Sequence, residues 1–227
     1  MTIHNQFIAR LAILLTTLTA GSVRAGEITG FTWYSGVASV AATTIAPPVA
    51  PNNDNVVGNS PNDAWITQKN YVAIGPVDLV FTVANSGGTT EYSFREGVFN
   101  NTGLPWVGYH LELGNGHDLT YTKSPSGDGL DFDHPDHDSP LDFNPAPFTY
   151  FPTATATEDD IYAGGGVMPY LSFAGNFRFS VDVPDGITSF TIRQSPIGAG
   201  IVPEPCTGLM ATIGLVGFAL GRKRSRS

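Results

Sequence analysis

Asn176–Gln194 reads NFRFSVDVPDGITSFTIRQ, and the fold turns on how this stretch is interpreted. Phe177, Phe179, Val181 and Val183 alternate with Arg178, Ser180 and Asp182. A period of two is the mark of a strand with one buried face. Pro184-Asp185-Gly186 follows, with proline presetting φ and glycine admitting a positive φ. Ile187–Gln194 (ITSFTIRQ) then returns as a second apolar-polar run, so the stretch predicts a β-hairpin.

Similar runs recur upstream. Phe31–Val40 is rich in aromatic, Ser/Thr and Val residues, and Val77–Val83 (VDLVFTV) ends at the turn cluster Asn85-Ser86-Gly87-Gly88. Thr90–Phe99 (TEYSFREGVF) sets Tyr92, Phe94, Glu96 and Val98 on one face against Ser93, Arg95 and Gly97 on the other. Trp106–Leu113 (WVGYHLEL) stops at Gly114-Asn115-Gly116. No stretch between residues 26 and 202 keeps a period of 3.6 over three turns. Two segments break the pattern. Ala46–Asp63 and Ser124–Pro152 are rich in Pro with Asn or Asp, and read as long surface loops. Residues 26–202 are therefore expected to form one all-β domain, an antiparallel β-sandwich of immunoglobulin-like or jelly-roll-like type.

Composition agrees with that class and narrows the function. The 227 residues hold 26 Gly and 17 Pro, too much punctuation for a helical bundle. Hydrophobic residues make up 41%, enough to exclude a disordered chain. A single Cys excludes an intrachain disulfide framework and any Cys-based zinc finger. Residues 26–202 carry five cations (Lys69, Arg95, Lys123, Arg178, Arg193) against nineteen acids, a net of −14. Such a balance argues against a general nucleic-acid binder.

The remaining cations sit at the two ends, the asymmetry expected of a translocated chain. Met1–Arg10 is polar and ends in a positive charge, and Leu11–Ala20 is an apolar run of ten. Val23-Arg24-Ala25 has the small final residue of a cleavage site. Residues 1–25 thus read as a signal peptide, handled by the Sec translocon and signal peptidase and cut after Ala25. At the other end Pro203-Glu204-Pro205 precedes sixteen uncharged residues, Cys206–Gly221, and then the cluster Arg222-Lys223-Arg224-Ser225-Arg226. Sixteen helical residues reach about 24 Å. Arg222 and its neighbours would hold that end of a membrane helix in the cytoplasm. Cys206 has no partner in the chain, and its setting assigns it no role.

This three-part tail over residues 203–227 resembles the PEP-CTERM sorting signal of Gram-negative bacteria that make exopolysaccharide. Phe99–Trp106 (FNNTGLPW), running into Tyr109–Leu113, resembles a segment common in the ectodomains of such proteins. The resemblance implies recognition by an exosortase, a membrane-embedded cysteine transpeptidase, near Pro203, Glu204 and Pro205, which are substrate elements. It also implies an inner-membrane intermediate, held by the C-terminal helix, and final placement at the cell surface or in the extracellular matrix.

One constellation in the body carries candidate chemistry. Residues 128–142 read DGLDFDHPDHDSPLD. Asp128, Asp131, Asp133, Asp136 and Asp138, with Asp142, could supply oxygen ligands to calcium, although the EF-hand pattern is absent. The plainer reading is a solvated acidic loop. His134 and His137 could instead hold a transition metal, but Pro135 makes a helical pair unfavourable. Trp106 is expected in the core rather than as a sugar platform, and His110 and His117 at strand ends. No nucleophile elbow or phosphate loop is present. The chain thus reads as a non-catalytic structural or adhesive protein of the exopolysaccharide matrix. Two alternatives stand: a carbohydrate-binding module, favoured by two or three aromatics on one exposed face, and a calcium-dependent hydrolase, favoured by convergent Asp and His in a pocket.

Overall fold

The computed structural model describes residues 26–41, 43–47, 62–84, 87–132, 146–148 and 159–200. In chain order the strands are β1 (Glu27–Tyr34), β2 (Ala38–Val40), β3 (Thr43–Ile45), β4 (Asn62–Tyr71), β5 (Val77–Ala84) and β6 (Thr90–Asn100). They continue with β7 (Trp106–Asn115), β8 (Thr122–Lys123), β9 (Asp131–Phe132), β10 (Asp160–Ala163), β11 (Phe173–Val183) and β12 (Ser189–Gly198). Among the described residues the one helical element is a 3-10 turn at Asp118–Thr120, so no helix there is long enough to cross a membrane.

The strands form two sheets. The first runs β1-β5-β12-β7-β10, with β8 also on β7, and the second runs β2-β4-β6-β11-β9, with β3 also on β4. The inward faces meet in one aromatic core. Phe81 of the first sheet lies 4.9 Å from Phe94 of the second, and Tyr109 of the first lies 5.0 Å from Phe177 of the second. The expected all-β sandwich is present. Each fully buried aromatic contributes about 1.5–3 kcal/mol by leaving water.

Three expectations about pairing need correction. The hairpin at 176–194 does not form: β11 pairs β6 and β9, whereas β12 pairs β5 and β7 in the other sheet. The turn itself exists, with Gly186 at φ 100° and the Ile187 N–H donating to Pro184 O at 3.3 Å. Five residues, 184–188, separate the strands. Five residues easily span the ~10 Å between packed sheets, whereas a tight hairpin uses two. The links β4–β5, β5–β6 and β6–β7 are also five residues long, and each crosses between the sheets. Asp185 ties two of these crossings together, accepting from the Gly87 and Gly88 N–H groups at 3.2 and 2.6 Å.

Second, Phe31–Val40 is not one strand. It breaks at Ser35, whose hydroxyl accepts from the Val37 and Ala38 N–H groups, and sends β1 and β2 to different sheets. Third, the sandwich is not wholly antiparallel. β4 and β6 pair in parallel, because the chain crosses to β5 and back between them.

The Asn100–Trp106 segment forms the predicted tight turn, with Gly103 at φ 81°. Buried Asn100 donates to the carbonyls of Leu104, Met168 and Pro169 at 2.9–3.1 Å and accepts from the Thr102 N–H and hydroxyl. Trp106 is fully buried, as expected, and its Nε1–H donates to Thr102 Oγ1 at 3.0 Å.

Candidate functional site

The outer face of the second sheet brings together side chains from strands far apart in sequence. Register places Thr44 opposite Trp65, Trp65 opposite Arg95, and Arg95 opposite Arg178, a single row across β3, β4, β6 and β11. Alternation explains the row: Phe94 and Phe179 point into the core, so Arg95 and Arg178 point out. Trp65 is 46% exposed, and the Arg95 guanidinium lies 5.2 Å from its ring centroid. Thr44, Ala46, Ala64, Ser93 and the row's Trp and Arg side chains line a groove.

A second exposed aromatic flanks the groove. Phe173, 57% exposed, packs its ring edge over Gly97, two residues along β6 from Arg95. A Cβ at Gly97 would meet that ring at 2.9 Å and Thr67 O at 2.4 Å, so only glycine lets the ring settle there. Both aromatics thus stand on one face, about 7 Å apart along the strand direction by strand geometry.

The electrostatics of the row are unusual for so acidic a chain. Like charges directly opposite one another destabilise a strand pair, yet Arg95 and Arg178 face each other. Among the described residues neither has a carboxylate partner. The other three cations of the body are engaged: Lys69 with Glu96, Lys123 with Asp160, and Arg193 with Asp78. Two guanidiniums beside a flat ring suit a bound carboxylate, which they can hold by paired N–H donors. A ring face such as that of Trp65 also packs against the C–H face of a sugar.

The outer face of the first sheet carries a different cluster. His110, Glu112 and Asp160 place one ligand atom each within 4.8 Å of one another, from β7 and β10. His110 Nε2 contacts Asp160 Oδ1, and Lys123 Nζ reaches Asp160 Oδ2 at 2.5 Å. Lys123 thus adds a cationic partner to the cluster through Asp160. The cluster therefore serves as an ion-pair clasp that holds β8 and β10 to β7. Its neighbour Arg193 makes two bonds to Asp78, at 2.7 and 2.8 Å, and lies over Tyr121 at 3.7 Å. His110 is mid-strand rather than at a strand end, while His117 sits at the edge of the 3-10 turn, stacked on Tyr34 at 3.5 Å.

Burial alone would lower the His110 pKa. The Asp160 bond and charge, with the Glu112 charge, outweigh burial and raise it. Burial pushes Asp160 the other way, but His110 and Lys123 hold its carboxyl below the usual range. A raised histidine contributes stability that is full below its unfolded pKa, about 6.5, and fades as pH rises through the folded value. Asp160 stays ionised across that window. The stability difference between the native protein and His110→Asn should therefore be larger at pH 5.5 than at pH 8.5, as read by urea melts at both pH values.

Of the calcium set, Asp128 and Asp131 are described, and the one group of three or more metal-ligating side chains among the described residues does not include them. Asp128 accepts from the Ser124 hydroxyl at 2.6 Å and the Leu130 N–H at 3.0 Å, closing its own turn. Asp131 lies in β9, opposite Asp182. Asp133, Asp136 and Asp138, with His134 and His137, lie outside the described residues. So do Ala25, Pro203, Glu204, Pro205, Arg222, Lys223 and Arg224. The Trp65–Arg95–Arg178 row escapes a reading of the sequence because only pairing assembles it. The outward placement of Arg95 and Arg178 is the one available hint. Comparison with family models, with curated proteins and with solved structures gives no match.

Proposed function

We propose that this chain is an exported adhesive protein of the cell envelope or extracellular matrix, and that its sandwich holds an anionic exopolysaccharide on the outer face of the second sheet. The observation that carries the reading is the row of Trp65, Arg95 and Arg178. Its two guanidiniums have no carboxylate partner among the described residues, in a body of net charge −14. An uronate chain would lay sugar rings on Trp65 and Phe173 and its carboxylate between the arginines. The signal peptide and the Pro203-Glu204-Pro205 tail support export and exosortase sorting as the route. This reading merges the matrix role with the carbohydrate-binding alternative, because two aromatics do share one exposed face. No catalytic role is assigned to any residue.

The test is binding of the purified mature protein to polygalacturonate and to neutral dextran by affinity electrophoresis. Polygalacturonate should retard the protein and dextran should not, and the retardation should fall with salt. A hydrogen bond to a charged group contributes about 1.5–3 kcal/mol. Solvent exposure reduces that, so Arg178→Ala should weaken binding on the order of 5- to 20-fold. Equal retardation by both polymers, or none by either, overturns the reading. Terminal sequencing of the same sample should place the N-terminus at Gly26 and find residues 222–227 removed.

A further inference from the structure

The core contains a cluster that the adhesive function does not use. Lys69, from β4, is fully buried, and so are Glu96 of β6, Gln194 of β12, Tyr71 of β4 and Tyr109 of β7. Lys69 Nζ lies 2.5 Å from Glu96 Oε2 and also contacts Gln194 Oε1. Gln194 Nε2 donates to Glu96 Oε1 at 2.8 Å, and the Tyr109 hydroxyl donates to Gln194 Oε1 at 2.9 Å. The Tyr71 hydroxyl lies 2.7 Å from that of Tyr109. A β-bulge between Ile66 and Lys69 turns Lys69 inward, where unbroken alternation from Ile66 would point it out.

Stability alone does not explain this arrangement. Replacing a buried ion pair by apolar side chains of similar volume is often neutral or stabilising, and aromatics surround this one on several sides. Lys69 Nζ instead sits against the Gln194 amide, donating to its carbonyl oxygen. The Gln194 carbonyl carbon is one bond, about 1.23 Å, from the oxygen that Lys69 touches. One carboxylate bridges the incoming amine and the outgoing amide nitrogen.

We propose that Lys69 and Gln194 join in an intramolecular isopeptide bond, formed by the protein itself with Glu96 as proton carrier and Tyr109 as oxyanion donor. With Lys69 as the neutral amine and Glu96 as the carboxylate, the Nζ lone pair attacks Gln194 Cδ, and Glu96 takes a proton from Nζ. The carbonyl electron pair moves onto Oε1, where the Tyr109 hydroxyl stabilises it. That pair returns as the Cδ–Nε2 bond breaks, and Glu96 gives its proton to Nε2, which leaves as ammonia. One Nζ–Cδ bond forms, one Cδ–Nε2 bond breaks, nothing is oxidised, and Glu96 is regenerated. Burial lowers the Lys69 pKa against the pull of Glu96, which favours the neutral, nucleophilic amine. Burial likewise raises the Tyr109 pKa, so its hydroxyl keeps the proton it donates. Holding the partners in contact gives the slow aminolysis of an amide the effective molarity it needs. The bond would join the two sheets covalently, since β4 and β12 belong to different ones.

The experiment is intact mass spectrometry of the full purified protein, followed by tandem sequencing of its tryptic digest. The expected result is a mass lower by one ammonia, no tryptic cleavage after Lys69, and a branched peptide joining the Lys69 and Gln194 segments. A chain at its unmodified mass overturns the proposal. So does a loss of ammonia that maps to a succinimide at Asn115-Gly116 instead. Both outcomes are read on the native protein, so neither depends on a variant folding. Glu96→Gln should restore the unmodified mass, and Tyr109→Phe should slow bond formation on the order of 10²-fold or more. Full-speed bond formation in Glu96→Gln removes the assigned role of Glu96 and overturns the mechanism.

Discussion

Phe94→Ala is expected to lower the free energy of unfolding by about 3–5 kcal/mol. Phe94 is fully buried where the two sheets meet. Its ring lies 4.9 Å from Phe81, 5.2 Å from Phe179 and 6.3 Å from Phe190, so truncation removes contacts to β5, β11 and β12 at once. The neighbouring rings are themselves held by the sheet registers and cannot collapse into the space. The loss is a large part of the roughly 5–15 kcal/mol that a domain of ordinary stability has. A urea titration of native and variant protein at equal m-value measures it. A loss under about 1 kcal/mol, well below the range for such a truncation, would mean that the sheets do not pack through this ring.

The second large effect concerns the Lys69–Gln194 crosslink. It closes a loop between residues 125 positions apart. Chain entropy assigns such a closure about 5 kcal/mol, through restriction of the unfolded state. The double variant Lys69→Met/Glu96→Gln cannot form the bond, and it leaves neither a buried cation nor a buried carboxylate. Its melting midpoint should fall by roughly 10–20 °C for a domain of this size. The same variant discriminates between the bond and a plain ion pair. Without a crosslink, replacing the charges by neutral groups of similar volume would leave the midpoint nearly unchanged.

Much of the core is readable from alternation. The inward residues of β5, β6 and β11 are those the period of two assigns, and Trp106 is buried as expected, although β7 breaks the alternation there: Trp106 is inward and Val107 exposed, beside a shift in the β7–β12 register. Partners are not readable, because hydrophobic period fixes which face is buried and not which strand lies alongside. The Pro184–Gly186 turn has the chemistry of a hairpin, yet the two extra residues Ile187 and Thr188 make the link long enough to change sheets. β4 escapes notice for another reason: its bulge between Ile66 and Lys69 breaks the alternation, and an inward lysine looks like a solvent-facing one in sequence. The groove residues come from four strands, so their row exists only once the registers are set.

The five-residue crossings have a consequence for how the chain reaches its native state. From β4 through β7, and again from β11 to β12, each long strand lies in the sheet opposite to the strand before it. Apart from the short pairings of β2 and β3 with β4, and of β8 with β7, no strand finds its partner close by in the chain. β12, the last strand described, sits between β5 and β7 and is what joins them. Nearly all loop-closure entropy must be lost before the distant pairings repay it, the condition for slow, high-contact-order folding. A chain emerging N-terminus first would have no stable resting point until residue 198 is free, and would stay open and threadable until then.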